Sequence, residues 1–340
     1  MQGKCLCGQV AFEILGAVPK LYQCHCSLCR KQGGSTSNTA TIVAIAALLS
    51  ACLLLCPGAA RAQPAAPTLS HALVGGQFEY TVQKGDFLIA IAARFGESAT
   101  DIARSNGIRY EGYIYPGRRL TIDNRHIVPE TLDNGILINL PQRMLFFFQG
   151  SKLAGAYPVG LGKPSWPTPA GAFHVAELRK NPTWVVPISI QEEMRREGQV
   201  VQTRVPPGPD NPLGNFWIGL SIAGYGIHGT SAPPSVYHFQ SHGCIRLHPD
   251  NIEKLFPQVD VGTQGRIIYA PVLLAELPDG AIYLEANPDI YNKGGNGLQR
   301  VTELAAANRL TNRIDWQKAA SVLQQQEGLA RNINLPAPGQ

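Results

Sequence analysis

The sequence predicts a mainly β protein: small α+β modules around a larger β-sandwich or barrel-like domain. Charged residues make up only 16% of the 340, while glycine (35) and proline (26) are plentiful, a balance that favours short strands and turns over long helices. Between Asn134 and Pro271, short apolar segments rich in β-branched and aromatic residues recur between Gly and Pro punctuation, the pattern of a sandwich or barrel. The chain also exceeds one ordinary domain of about 100 to 150 residues, so several compact units are expected.

The N-terminus reads differently from the rest. Of eight cysteines, five precede residue 30, two are Cys52 and Cys56, and only Cys244 follows. Cys5-Leu6-Cys7-Gly8 and Cys24-His25-Cys26-Ser27-Leu28-Cys29 have zinc-ligand spacing. They resemble the start of the glutathione-dependent formaldehyde-activating zinc family, but that family's downstream Cys-x-x-Cys is absent. Residues 1–40 are therefore expected to be a fragment. Residues 41–62 begin with the apolar run Thr41 to Cys56 and end in Ala-Arg-Ala, a secretory segment with cleavage expected after Ala62. A transmembrane anchor and a lipid on Cys52 are the alternatives. Residues 63–77, rich in Ala, Pro and Gly, read as a linker.

A βααβ unit follows over residues 78–123. Phe78 to Gln83 alternates like a strand, and Leu88, Ile91, Ala92 and Phe95 recur at helical spacing. Ser98 with Asp101 marks a second helix start, and Arg118 to Ile122 returns as a strand. Tyr80-Thr81-Val82, Gly85-Asp86, Ile91-Ala92, Asn106 and Pro116-Gly117-Arg118-Arg119-Leu120 resemble the LysM module, which implies binding to peptidoglycan glycan strands. Phe87 stands where that family usually has Ser or Thr, so the first helix is expected to lack a favoured cap.

Strands are expected at Ile136 to Leu140, Met144 to Phe148, Leu153 to Val159, Gly171 to Val175, Trp217 to Leu220 and Arg266 to Tyr269, with one helix at Pro249 to Phe256. The segment Gln191 to Val200 reads as a polar helix or a lid. Residues 272–340 form a small C-terminal subdomain, with a turn at Leu277 to Gly280 and helical patterning through Leu304, Leu310 and Ile314.

The chemistry sits in Gly226-Ile227-His228-Gly229-Thr230 and Ser241-His242-Gly243-Cys244-Ile245-Arg246. A cysteine two positions from a histidine, with a second histidine nearby, suits acyl transfer, where a thiolate attacks and an imidazole takes its proton. A metal site on His228, His242 and Cys244 is the rival reading. Against it stand the missing acidic residues in both motifs and Gly243, which suits close approach of a substrate carbonyl.

These motifs resemble the YkuD-type L,D-transpeptidase family over residues 134–271. Arg246, two residues after the cysteine, is as in its LysM-bearing enterobacterial subgroup. The resemblance implies that Cys244 is the nucleophile and His242 its base, with Ser241 orienting the imidazole through its backbone carbonyl. The N–H groups of Gly243 and Cys244, with His228, would form the oxyanion hole. Arg246, Gly229 and Thr230 would bind substrate, without metal or cofactor. The implied donor is a tetrapeptide stem whose diaminopimelate forms a thioester with loss of D-Ala. The acceptor is a second stem amine, a lysine of an outer-membrane lipoprotein, or water. Carbapenems are implied covalent inhibitors, and the periplasm is the implied compartment. A carboxypeptidase or amidase on the same site, and a non-catalytic peptidoglycan-binding protein, are the rival functions. With basic residues scattered at a net charge of +5, nucleic acid is not an expected partner.

Overall fold

A computed structural model describes residues 68–336 and, before them, only the backbone of four short strands. These are Gln2–Lys4 paired antiparallel with Ala11–Glu13, and Leu21–Cys24 paired antiparallel with Asn38–Thr41. They belong to one unit, residues 1–63, and the rest of the chain to another, residues 64–340. Cys5, Cys7, Cys26 and Cys29, the cleavage site and Cys52 all lie outside the described residues. Among the described residues, no helix is long and apolar enough to cross a membrane.

The larger unit is mostly β with short helices. Its first module pairs Gln77–Thr81 antiparallel with Arg119–Asp123 and packs the intervening helices Leu88–Phe95 and Ala99–Ser105 against that strand pair. Ile91, Ile102, Leu120 and Ile122, each 2% exposed or less, fill its small core. Phe87 occupies the N-cap of the first helix without a side-chain hydrogen bond, whereas Ser98 caps the second by accepting from the Asp101 amide. The expected loss of one cap is thus visible as an unfilled helix start.

A nine-stranded sheet dominates the chain. In spatial order its strands are Met144–Gln149, Gly135–Asn139, Gln264–Ile268, Gly171–Lys180, Phe216–Leu220, Gly226–His228, Ile245–Leu247, Lys152–Gly162 and Phe239–Ser241. Lys152–Gly162 also pairs back onto Met144–Gln149, so the sheet closes into a barrel with Phe239–Ser241 appended. Packing of the neighbouring modules on the outside of the barrel explains why apolar residues fall on both faces of some strands. Phe147 points into the barrel core, while Phe146 and Phe148 pack outward with Ala93 of the first module and Leu273 and Ala275 beyond the barrel.

The C-terminal subdomain is a three-stranded sheet, Val272–Glu276, Ile282–Ala286 and Arg331–Asn332, covered by helices Gly297–Ala307 and Trp316–Gln325. The turn at Leu277–Gly280 closes as expected, with the Gly280 amide bonded to the Leu277 carbonyl at 2.9 Å. Leu310 and Ile314 depart from the helical expectation: they are buried, but they flank a 3-10 turn, Thr311–Arg313, between the two helices. Their apolar spacing reflects burial from a loop, which periodicity alone does not distinguish from a helix face.

One buried polar network ties the three parts together. The fully buried Glu285 accepts from the Ile127 amide (2.7 Å) and from Gln142 Nε2 (2.9 Å), and lies 3.1 Å from His126 Nδ1. The other nitrogen of His126 meets the Gly96 carbonyl of the first module at 2.9 Å. A carboxylate this deep is tolerated because donors surround it.

Candidate active site

Strands Gly226–His228 and Ile245–Leu247 run parallel and adjacent, with Ile227 opposite Ile245 and His228 opposite Arg246. Ile227 and Ile245 are fully buried in the barrel core. Because side chains alternate along a strand, their neighbours His228, Cys244 and Arg246 face the other way. There they line a cavity of about 760 Å³, together with Ser241, His242, Trp166, Trp184 and Tyr225. That volume suits a peptide-sized ligand.

The cysteine turn is held from several sides. Ser241 Oγ donates to the Cys244 carbonyl (2.6 Å) and accepts from the Gly243 amide (3.1 Å). Thr168 Oγ1 donates to the Gly243 carbonyl (2.9 Å) and accepts from the Gly162 amide (3.0 Å). Tyr291, from the chain beyond the barrel, donates its hydroxyl to the Gly162 carbonyl at 2.6 Å. Gly243 has φ of +105°, and a Cβ there would meet the Tyr225 ring at 2.6 Å. Only glycine fits that turn.

This geometry alters two expected roles. The Ser241 carbonyl accepts from the Lys163 amide at 2.9 Å, and His242 is held instead by Glu193, whose Oε2 makes a short contact with Nε2. The Gly243 amide, expected in the oxyanion hole, is taken up by Ser241 Oγ. Gly229 and Thr230 face away from the cysteine cavity into a second cavity of about 150 Å³, bordered by Gly214, Phe216 and Pro249. Both were expected to touch substrate, but the loop at Leu213 and Gly214 packs against their backbone.

The two imidazoles sit in unlike surroundings. His228 is buried, its ring is stacked on Trp217 at 5.8 Å, and its Nδ1 lies 2.6 Å from the Gly229 carbonyl. Burial, and then the Arg246 charge, push its pKa down to about 3, against the opposing pull of that carbonyl. The ring is therefore neutral at ordinary pH. A carbonyl only accepts, so Nδ1 carries the hydrogen and Nε2 keeps its lone pair. Trp217 is itself fixed by its indole N–H, which donates to Glu177 at 2.9 Å.

His242 is half-buried, with Trp166 edge-on at 4.9 Å. Its partner Glu193 also pairs with Lys163 at 2.7 Å. The hydrogen bonds from Lys163 and His242 hold the Glu193 carboxyl below its usual range. Neither imidazole is hydrogen-bonded to Cys244, whose Sγ instead approaches the Gly224 carbonyl at 3.7 Å. Burial raises the thiol pKa, opposed by the Gly226 amide and the Arg246 charge. Arg246 makes no ion pair among the described residues. The described residues contain no group of three or more His, Cys, Asp or Glu placed to hold a metal.

Glu193, Lys163, Glu177 and Tyr291 were not singled out from sequence. Each acts across a long sequence separation and has no local motif of its own.

Three family descriptions match the chain: the L,D-transpeptidase catalytic domain over residues 133–272, the LysM domain over 80–123, and the glutathione-dependent formaldehyde-activating enzyme over 1–51. Among curated relatives, the probable L,D-transpeptidase ErfK/SrfK of Salmonella typhimurium is 30% identical over 260 residues, covering 74% of this chain and 84% of that protein. The probable L,D-transpeptidase YcfS of Escherichia coli is 31% identical over 251 residues, covering 72% and 78%. An NMR structure of the catalytic domain of the E. faecium L,D-transpeptidase acylated by ertapenem is 25% identical, covering 41% of this chain and 99% of that one, at a TM-score of 0.32.

Proposed function

Because the chain belongs to the L,D-transpeptidase family, we propose that it forms a thioester on Cys244 with a peptidoglycan stem peptide and passes the acyl group to an amine. The Cys244 sulfur gives up its proton to an imidazole and adds to the diaminopimelate carbonyl, the bond to D-Ala breaks, and D-Ala takes up that proton and leaves as its amine. An acceptor amine then attacks the thioester and the thiol returns. The observation that carries this reading is the cavity in which Cys244, two imidazoles and the Arg246 guanidinium meet.

Of the two imidazoles, His228 is assigned as the base for the thiol. It is neutral, one nitrogen is pinned on the Gly229 carbonyl, and the other is open. This replaces the expectation for His242. Loose contacts before substrate binds do not argue against such a role. The Cys244 amide is assigned to the developing oxyanion, since Ser241 occupies that of Gly243. Arg246 would hold a substrate carboxylate. The LysM module presents Phe87, Tyr110, Tyr113 and Tyr115 to solvent, aromatic faces suited to sugar rings, which supports placement on glycan strands. Action on that polymer requires export to the periplasm.

The test is intact-mass measurement after carbapenem treatment, paired with muropeptide analysis. One drug mass on the wild type and none on Cys244→Ser is expected, with new cross-links from tetrapeptide donors. Shortened stems without cross-links would assign a carboxypeptidase instead.

A further inference from the structure

We propose that Glu193 is a positioning residue that fixes His242 as the proton acceptor for the incoming amine, so that the two imidazoles serve opposite halves of the transfer. The inference rests on the transpeptidase reading and assigns a residue and a division of labour within that site.

Glu193 lies on the helix Ile188–Arg196, far in sequence from both motifs. Its carboxylate bridges two partners, Lys163 Nζ at 2.7 Å through Oε1 and His242 Nε2 through Oε2. Lys163 secures its ionised form, and an ionised carboxylate has only acceptor sites. In the neutral ring the hydrogen must therefore sit on Nε2, leaving Nδ1 with a lone pair. Trp166 edge-on to the ring restricts its rotation. His242 thus mirrors His228, with one nitrogen pinned and the other open, but with the pinned nitrogen exchanged.

The helix has little else to fix it. Ile190 is its one buried residue, and its N-cap, Pro187, supplies no side-chain bond. The Gln191 side chain bonds to the nearby Val186 carbonyl at 2.8 Å. Among the described residues, the Glu193 bridge is the polar side-chain link between this helix and the floor of the cavity. In the second half-reaction the amine nitrogen bonds to the thioester carbonyl carbon and gives a proton to His242 Nδ1. The carbon–sulfur bond breaks, and that proton returns to the Cys244 thiolate.

The experiment compares full-length wild type with Glu193→Gln and Glu193→Asp. The amide can present either oxygen or NH₂, so it no longer enforces one tautomer. Imidazole ¹⁵N spectra should show His242 as the Nε2–H form in wild type and as a mixture in Glu193→Gln. Turnover of a tetrapeptide muropeptide should fall about tenfold or more in Glu193→Gln, with KM little changed and thioester resolution slowed more than its formation. Glu193→Asp should recover part of the rate. Alkylation of Cys244 by iodoacetamide should stay at the wild-type rate, which separates loss of positioning from loss of fold. Wild-type turnover in Glu193→Gln, or an unchanged His242 spectrum, overturns the proposal. A wild-type protein that takes no carbapenem adduct overturns the transpeptidase reading instead, and the spectra still decide the tautomer.

Discussion

The thiol of Cys244 is held in a conflict that sets its pH behaviour. Burial raises its pKa, while the Gly226 amide and the Arg246 guanidinium favour the anion. A thiol releases its proton as pH rises, so a raised pKa moves the reactive thiolate to higher pH than in an exposed cysteine. The alkylation rate of Cys244 should therefore keep climbing above the pH at which a free cysteine levels off. Arg246→Gln should shift the profile higher still, and overlapping profiles for the two proteins would refute the role of that charge. His228→Ala should slow carbapenem acylation by about 10²-fold or more. His242→Ala should affect that step less, a contrast that stopped-flow measurement of adduct formation resolves.

At the scale of elements, the cysteine turn and the first module's helix make separate claims. Gly243 adopts φ of +105° against the Tyr225 ring, so Gly243→Ala meets both backbone strain and a clash. It should abolish acylation while the barrel remains folded, as near-native far-UV circular dichroism with no carbapenem adduct would show. Phe87 already has extended N-cap geometry, with φ −144° and ψ 156°, but no capping group. Phe87→Ser should stabilise that helix by about 0.5–2 kcal/mol, and hydrogen exchange of the amides at Leu88 to Ile91 would register it. The same variant tests whether the exposed ring contributes to glycan binding, since pull-down on purified sacculi should then weaken.

Across the whole molecule, a buried carboxyl couples stability to pH. Glu97 is fully buried, accepts from the Asp123 amide at 2.9 Å through one oxygen, and leaves the other unpaired. Burial, with Asp123 and Asp101 nearby, raises its pKa from 4.5 to about 8. The native state therefore keeps a proton that the unfolded chain releases above about pH 4.5. The stability this brings is complete below that point and declines as pH rises through about 8. Glu97→Gln removes the titration, so denaturant unfolding at about pH 9 should favour the variant more than at about pH 6. Equal differences at both values would exclude this carboxyl as the source.

Local pattern was enough for strands that carry a continuous apolar run: Met144–Gln149 and Phe216–Leu220 lie within a residue of their expected bounds, whereas the two longest strands, Lys152–Gly162 and Gly171–Lys180, run three and five residues past their expected ends. It was enough, too, for the βααβ module, whose caps and turns are written in consecutive residues, and for placing the chemistry in two short motifs around His228 and Cys244. The strands that carry those motifs were not legible, since Gly226–His228, Phe239–Ser241 and Ile245–Leu247 are three residues each, too short for any periodicity to register. Nor could sequence assign partners to the imidazoles. Glu193 reaches His242 across 49 positions and Tyr291 reaches Gly162 across 129. Barrel closure and the packing of the helix and the C-terminal segment bring those pairs together. Hydrogen bonds depend on distances of a few tenths of an ångström, and only the assembled fold fixes such distances between residues so far apart along the chain.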